Sequence, residues 1–360
     1  MNAAYWRNRR VLVTGHTGFK GAWMTFWLAG MGAKVTGLGL RPSSEPHLYS
    51  LLGLADCCHS IIDDINRPGA LEDAIKTFEP EVIVHMAAQA LVRTSYVDPL
   101  GTYETNVMGV VRLLDEARKS SHVRSIVIVT SDKCYENREQ IWGYRENDPM
   151  GGHDPYSSSK GAAEIAARSM QRSFFQPFVA EGHPARIATV RAGNVVGGGD
   201  WSSDRLIPDI VRGLLGPTGV AQLRNPRAIR PWQHVLEPLA AYLKIAELLA
   251  TAPDGIDEAW NIGPDNNDIR AVIDVAESMA AALGTGRLVL GTNAGEPHEA
   301  TLLTLDCTKA RTRLGWRPHL TFDDCVRWTA DWYAAWHGGR DMAEFTRGQI
   351  AQFGRLEATR

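Results

Sequence analysis

The feature that most constrains the fold lies near the start of the chain. A short apolar run, Val11-Leu12-Val13-Thr14, ends at Gly15-His16-Thr17-Gly18-Phe19-Lys20-Gly21, after which residues 21–30 turn helical with bulky apolar side chains. A second short run follows at 34–40. Strand, glycine-rich turn, helix and strand in succession have the size of a βαβ unit. Glycines so spaced permit a tight turn and let the backbone approach a pyrophosphate seated on the helix N-terminus. The glycine pattern alone is a weak signal. Its βαβ setting makes it specific, and His16 and Lys20 stand in the same loop as candidate phosphate contacts.

The alternation continues. Residues 60–65, 81–85, 125–131 and 187–191 read as strands, and 68–78, 102–119 and 155–175 as helices. Short Val/Ile runs separated by helices predict a parallel sheet covered on both faces, a doubly wound α/β (Rossmann) fold. Beyond about residue 192 the pattern loosens, with helix returning at 237–251, 269–283 and near 322–336. The expected division is a dinucleotide-binding domain over 1–191, joined by segments near 232–252. A smaller, mixed, interleaved substrate lobe fills most of 192–360.

Composition narrows the class. In 360 residues, 44% hydrophobic and 22% charged describe an ordinary globular protein and exclude disorder or collagen-like repeats. Net charge is 38 − 41 = −3 with no basic run, so nucleic acid is not an expected partner. Five cysteines without C-x-x-C spacing read as reduced thiols, neither a disulfide framework nor a zinc site, and no metal is expected. No apolar stretch matches a signal core or a membrane span, so the expectation is a soluble, cytoplasmic chain without a membrane partner.

Two further places carry chemistry. Tyr156 and Lys160 fall at i and i+4 on a predicted helix, where a nearby ammonium favours phenolate and readies the tyrosine as a base. At the end of the second strand, where an acidic residue ordinarily takes the adenosine ribose, the sequence reads Leu40-Arg41-Pro42. Arg41 either faces a 2′-phosphate, favouring NADP, or stacks on adenine, which leaves NAD and NADP open. Asp64-Ile65, after the third strand, is a candidate adenine contact.

Together, TGHTGFKG, HMAAQ, YETN, VTSDK and YSSSK resemble the extended short-chain dehydrogenase/reductase superfamily. TSDKCYENRE, VRAGNVVGGGDW, DRLIPD and RNPRAIRPWQHVLEP are similar to its nucleotide-sugar 4,6-dehydratases, in the branch that acts on CDP-glucose. The resemblance runs over roughly residues 9 to 320. It implies oxidation at C4 of the sugar, loss of water across C5 and C6, and reduction at C6, with a tightly held nicotinamide cofactor, NAD in the first instance.

By the same resemblance Ser131 holds the substrate hydroxyl, Tyr156 is the base, Lys160 its partner and Asp132 the acid for the leaving C6 hydroxyl. Lys133 stands where related dehydratases carry the C5 base; it acts either as a neutral amine or as a cation beside the enolate. Asn194 and Arg230 match diphosphate contacts, and Arg205 is a further candidate. Ala87 and Ala88 allow close backbone approach, Gln89 and Arg93 border the nicotinamide or sugar, and Trp232, Gln233 and His298 line the base or sugar pocket. Asn106 is read as a core hydrogen-bonding residue. A homodimer through helices 102–119 and 155–175 is likewise implied. Three other readings stand beside this one, the first a dehydratase for another nucleotide sugar. A 4-epimerase needs Tyr156 and Lys160 but not Asp132-Lys133, and a non-catalytic sensor has no use for either pair.

Overall fold

The computed structural model describes residues 2–252, 255–265, 268–291 and 302–358. Six strands come first: β1 (Arg10–Thr14), β2 (Lys34–Gly39), β3 (His59–Ile62), β4 (Val82–His85), β5 (Ser125–Val129) and β6 (Arg186–Ala192). They are followed by β7 (Asn194–Val196), β8 (Val220–Leu223), β9 (Ile229–His234), β10 (Ala259–Ile262), β11 (Ile269–Ala271) and β12 (Arg287–Leu290).

The main sheet has the order β10-β6-β5-β4-β1-β2-β3, and every pairing in it is parallel. Its strands alternate between two cores, as period-2 side-chain direction requires. Val11, Val13, Val82, Val84, Val127 and Val129 pack with helices Phe19–Gly30, Leu236–Thr251 and Phe322–His337. Leu12, Ile83, Ile126 and Ile128 pack on the opposite face with helices Ala70–Phe78, Gly109–Ala117 and Pro155–Phe174. The strand order reverses between β1 and β4, and the crevice beyond their carboxyl ends is where open α/β sheets bind ligands.

After β6 the chain leaves the main sheet and returns to it. Helix Leu236–Thr251 packs beneath β5, where Ser125 Oγ donates to the Ala246 carbonyl at 2.8 Å, and β10 adds the seventh strand beside β6. Two small sheets, β11-β9-β7 and β12-β8, follow, and residues of β7, β8 and β9 line a cavity together with the carboxyl ends of β5 and β6. Among the described residues no helix is long and apolar enough to cross a membrane.

Two expected elements differ. The helix expected at 102–119 is Pro99–Tyr103, a π-helical turn over Glu104–Met108, and Gly109–Ala117. The wider turn seats Asn106, whose Oδ1 accepts from Gln89 N at 2.8 Å while Nδ2 donates to Gln89 O at 3.0 Å and Ser159 Oγ at 2.8 Å. The helix expected from 269 starts at Val272, because Ile269–Ala271 pairs antiparallel with β9 and that pairing overrides local helical pattern. Strand β10 reads Ala-Trp-Asn-Ile, too short and mixed to register as a strand by pattern.

Candidate active site

The glycine loop has the shape its sequence demands. Gly15 has φ +73°, and a Cβ there would lie 2.8 Å from Ala87 N, so the turn lies directly against the HMAAQ loop. A Cβ on Gly21 would stand 2.0 Å from the Gly15 carbonyl oxygen, which makes the third glycine a packing requirement. Gly18 faces outward and caps helix Phe19–Gly30 without a side-chain hydrogen bond, and the first turn holds no acidic residue. An uncapped helix N-terminus offers amide donors and a positive dipole end, so the loop fits a dinucleotide pyrophosphate.

His16 does not face solvent. Its ring is fully buried against Gly37, and its Nε2 is 2.7 Å from Ser60 Oγ, which also accepts from the Tyr49 hydroxyl. Burial pulls it down to about 4, so it is a neutral residue that ties the glycine loop to β2 and β3. Thr17 Oγ1 donates to Leu40 O at 2.7 Å, fixing the end of β2, where Arg41 is exposed.

The catalytic candidates converge at the carboxyl ends of β5 and β6. Ser131 follows β5 and caps the short 3-10 turn Asp132–Cys134, accepting from Lys133 N at 3.2 Å and donating to Asp132 Oδ1 at 2.9 Å. Helix Pro155–Phe174 starts with proline and is capped by Asp154, which accepts from Ser157 N at 2.9 Å. That cap fixes Tyr156 in the first turn, beside Ser131. Lys160 lies on the same helix face, buried like the tyrosine.

Burial sets the electrostatics. It pushes the Tyr156 hydroxyl up to about 12, against the pull of Ser131 and Arg205, and draws the Lys160 amine down to about 8. Burial also raises the Asp132 carboxyl above its ordinary range despite Lys133, Ser131 and Arg230, while its Oδ2 is buried without a hydrogen bond. Lys20 is drawn down to about 7 by burial, then by Lys160 and Arg205, with Asp132 opposing. The same cavity, about 350 Å³, is lined by Lys20, Ser131, Asp132, Lys133, Tyr156 and Lys160 on the sheet side.

The other wall comes from the small sheets. Asn194, Arg205, Arg230 and Trp232 line it, with Arg93 on the rim. Arg205 is 3.3 Å from Asp200, and Arg93 is 3.7 Å from Asp204. The result is a narrow cavity with an acid, a phenol and several cations around it.

A sequence model described as GDP-mannose 4,6 dehydratase matches residues 12–329. The chain belongs to this dehydratase family. A CDP-glucose 4,6-dehydratase of Salmonella typhimurium is 46% identical over 97% of both chains. A probable dTDP-glucose 4,6-dehydratase of Sinorhizobium fredii is 26% identical, covering 90% of this chain and 92% of its own. Among solved structures, dTDP-glucose 4,6-dehydratase from Streptomyces venezuelae, with NAD and TYD bound, has a TM-score of 0.75 at 24% identity, covering 93% of this chain and 99% of its own. UDP-glucose 4-epimerase from Thermotoga maritima also has a TM-score of 0.75, at 20% identity, covering 89% and 97%.

Within this dehydratase fold several expected contacts lie elsewhere. Gln89 spends its side chain on its own loop and on helix Pro99–Tyr103: Nε2 donates to Leu91 O and Thr102 Oγ1, and Oε1 accepts from Leu91 N. Gln233 is buried with its Nε2 donating to Ile262 O at 2.9 Å, because β9 alternates and turns Arg230 and Trp232 to the cavity instead. Ile65 is a core side chain packed under Gly109, leaving only its backbone toward any adenine. Asp64 is half-buried at the edge of β3, where its Oδ1 accepts from Asn66 N. Ala88 lines the cavity, whereas Ala87 packs on Gly15. His298 lies outside the described residues.

Sequence reasoning missed Gln222, Arg224 and Asn225, which also line the cavity. Arg224 bridges Asp204 at 2.9 Å and Asp209 at 3.1 Å, holding the loop after β7 against β8. The only sequence signal was position: Arg224-Asn225-Pro226 opens the same string that supplies Arg230.

Proposed function

We propose that the chain is an NAD-dependent CDP-glucose 4,6-dehydratase, giving CDP-4-dehydro-6-deoxyglucose and water. The observation that carries this reading is Asp132-Lys133 in one cavity with Tyr156-Lys160. Oxidation at C4 calls for the second pair only; eliminating water across C5 and C6 calls for an acid and a C5 group as well. The CDP sugar follows from the Salmonella relative. A 4-epimerase, which the fold also supports, leaves Asp132 and its raised proton affinity without a task.

NAD supplies the electron-pair acceptor and donor that let the sugar be oxidised and later reduced with no net redox change. The loop 15–21 with Ala88 would hold it, and Lys160 lines the same cavity beside Tyr156. Tyr156 takes the C4 hydroxyl proton while Ser131 holds that oxygen. Asp132, whose carboxyl burial holds above its ordinary value, gives its proton to the departing C6 hydroxyl. Lys133 serves C5, either as a base or as a cation that stabilises the enolate. Asn194, Arg205 and Arg230 take the diphosphate through planar guanidinium and amide donors, and Arg93 closes the rim.

The cofactor part spans 1–191 with the returning segments, and the substrate part most of 192–360. The working unit is a cytoplasmic homodimer. Val97, Leu100, Met108 and Ile165 leave 86%, 83%, 41% and 61% of their surfaces exposed around helices Gly109–Ala117 and Pro155–Phe174, an apolar surface suited to a second copy. The test is to incubate the protein with CDP-glucose, dTDP-glucose and GDP-mannose in turn, with NAD or NADP, and follow 4-keto sugar formation. CDP-glucose with NAD is expected to be preferred; a 4-epimer without loss of water would replace the reading by an epimerase.

A further inference from the structure

One helical turn beyond Lys160 lies a buried charge that the proposed chemistry does not consume. Glu164 is 5% exposed, and its carboxylate accepts three side-chain hydrogen bonds. Thr130 Oγ1 donates to Oε1; Thr189 Oγ1 at 2.7 Å and Arg191 at 2.8 Å donate to Oε2. Thr130 is the residue before Ser131, and Thr189 and Arg191 belong to β6. Arg191, 3% exposed, reaches on to the Tyr135 hydroxyl at 2.8 Å, just past the Asp132–Cys134 turn. One carboxylate thus joins the helix of Tyr156 and Lys160 to both ends of the segment carrying Ser131, Asp132 and Lys133.

Stability alone gives little reason for charges there, since apolar residues of equal volume commonly serve a fold as well as a buried ion pair. We propose that Glu164 is a positioning residue, which locks the helix bearing Tyr156 and Lys160 to the strand end bearing Ser131 and Asp132 and supplies the negative field at Lys160. Burial by itself works against an ionised Glu164, but the Arg191 charge and the hydrogen bonds outweigh it and hold the carboxyl below its ordinary value. The groups that face Lys160 are Tyr156 and Glu164 on its own helix, Cys134 from the 3-10 turn, Lys20 from the glycine-loop helix and His85 from β4, with Asp132 of the same turn in the shared cavity. Burial keeps Cys134 a thiol and His85 neutral and raises the Asp132 carboxyl, so Glu164 is the carboxylate held below its ordinary value among them.

The inference rests on the proposed function only for the meaning of turnover, and its first test does not need turnover. The Lys160 amine is titrated by NMR of lysine labelled at the ε-carbon, assigned with Lys160→Met, in the parent and in Glu164→Gln. Removing the carboxylate is expected to move the titration about one unit lower. Thr130→Val is the second variant, because it removes the donor but keeps both charges and the volume. It is expected to titrate like the parent, with kcat for CDP-glucose lowered about tenfold and KM within about twofold. A folded Glu164→Gln protein whose Lys160 titrates at the parental value overturns the proposal. So does a Thr130→Val protein with parental kcat, which decides the matter alone if Glu164→Gln does not fold. A parent that fails to convert CDP-glucose counts against the proposed function, and the titration still judges Glu164.

Discussion

Lys160 Nζ stands 6.0 Å from the centre of the Tyr156 ring, one helical turn away and on the same buried face. Burial drives their proton affinities apart, the phenol up to about 12 and the ammonium down to about 8. In the ligand-free chain the lysine therefore gives up its proton first. Tyr156→Phe is expected to lower kcat on the order of 10² to 10⁴-fold while leaving melting temperature and NAD binding near the parent. Turnover within about tenfold of the parent would remove Tyr156 from the role of base.

Asp132 is expected to show a trade between activity and stability. Its carboxyl is raised by burial in the fold, so the folded chain binds a proton there that the unfolded chain releases above about 3.8. Stability from this site is therefore present at low pH and lost as pH rises through the raised folded value. Asp132→Asn is expected to melt above the parent at neutral pH, with the gain vanishing near pH 4, and to lose about 100-fold or more in dehydration. The check is a set of melting curves against pH together with product assays. A melting gain that persists unchanged at low pH would contradict the assignment.

His16 titrates with the opposite sign. Held at about 4 by burial, below its ordinary 6.5, it stabilises the fold above 6.5 and that contribution is lost as pH falls toward 4. A Cβ on Gly37 would lie 2.2 Å from the His16 ring, so Gly37→Ala is expected to destabilise by about 1 to 3 kcal/mol. In a double-mutant cycle with His16→Ala most of that cost is expected to disappear. Additive costs would mean that the two positions do not press on each other.

Lys20 stands among Lys160, Arg205 and Asp132 with its amine drawn down to about 7, so its charge fades as pH rises through neutrality. The KM for CDP-glucose is expected to climb above about pH 7 in the parent. In Lys20→Met it is expected to be high throughout, with that climb removed. Parallel KM profiles in the two proteins would assign the pH dependence to another group.

Much of this was legible in the chain because strand, glycine loop and helix follow one another at Val11–Gly30 with nothing tertiary needed to read them. The Tyr156–Lys160 spacing was legible for the same local reason. What was not legible depends on where side chains turn after folding. The string Arg230-Pro231-Trp232-Gln233 reads as one binding motif, yet β9 alternates, so Arg230 and Trp232 meet the cavity and Gln233 is tied to β10. His16 reads as a loop residue beside a phosphate, and only the absent Cβ of Gly37, across a neighbouring strand, makes room for its ring inside. Glu164 carries no motif at all, because its partners Thr130, Thr189 and Arg191 come from two other strand segments.

Mass spectrometry of the product from CDP-glucose deuterated at C4, with NAD supplied, tests the central claim most directly. A dehydratase that keeps its cofactor bound predicts a product lighter by one water that retains the deuterium, now at C6. An unchanged mass with a new stereoisomer at C4, or loss of water with the deuterium washed out, would contradict the account.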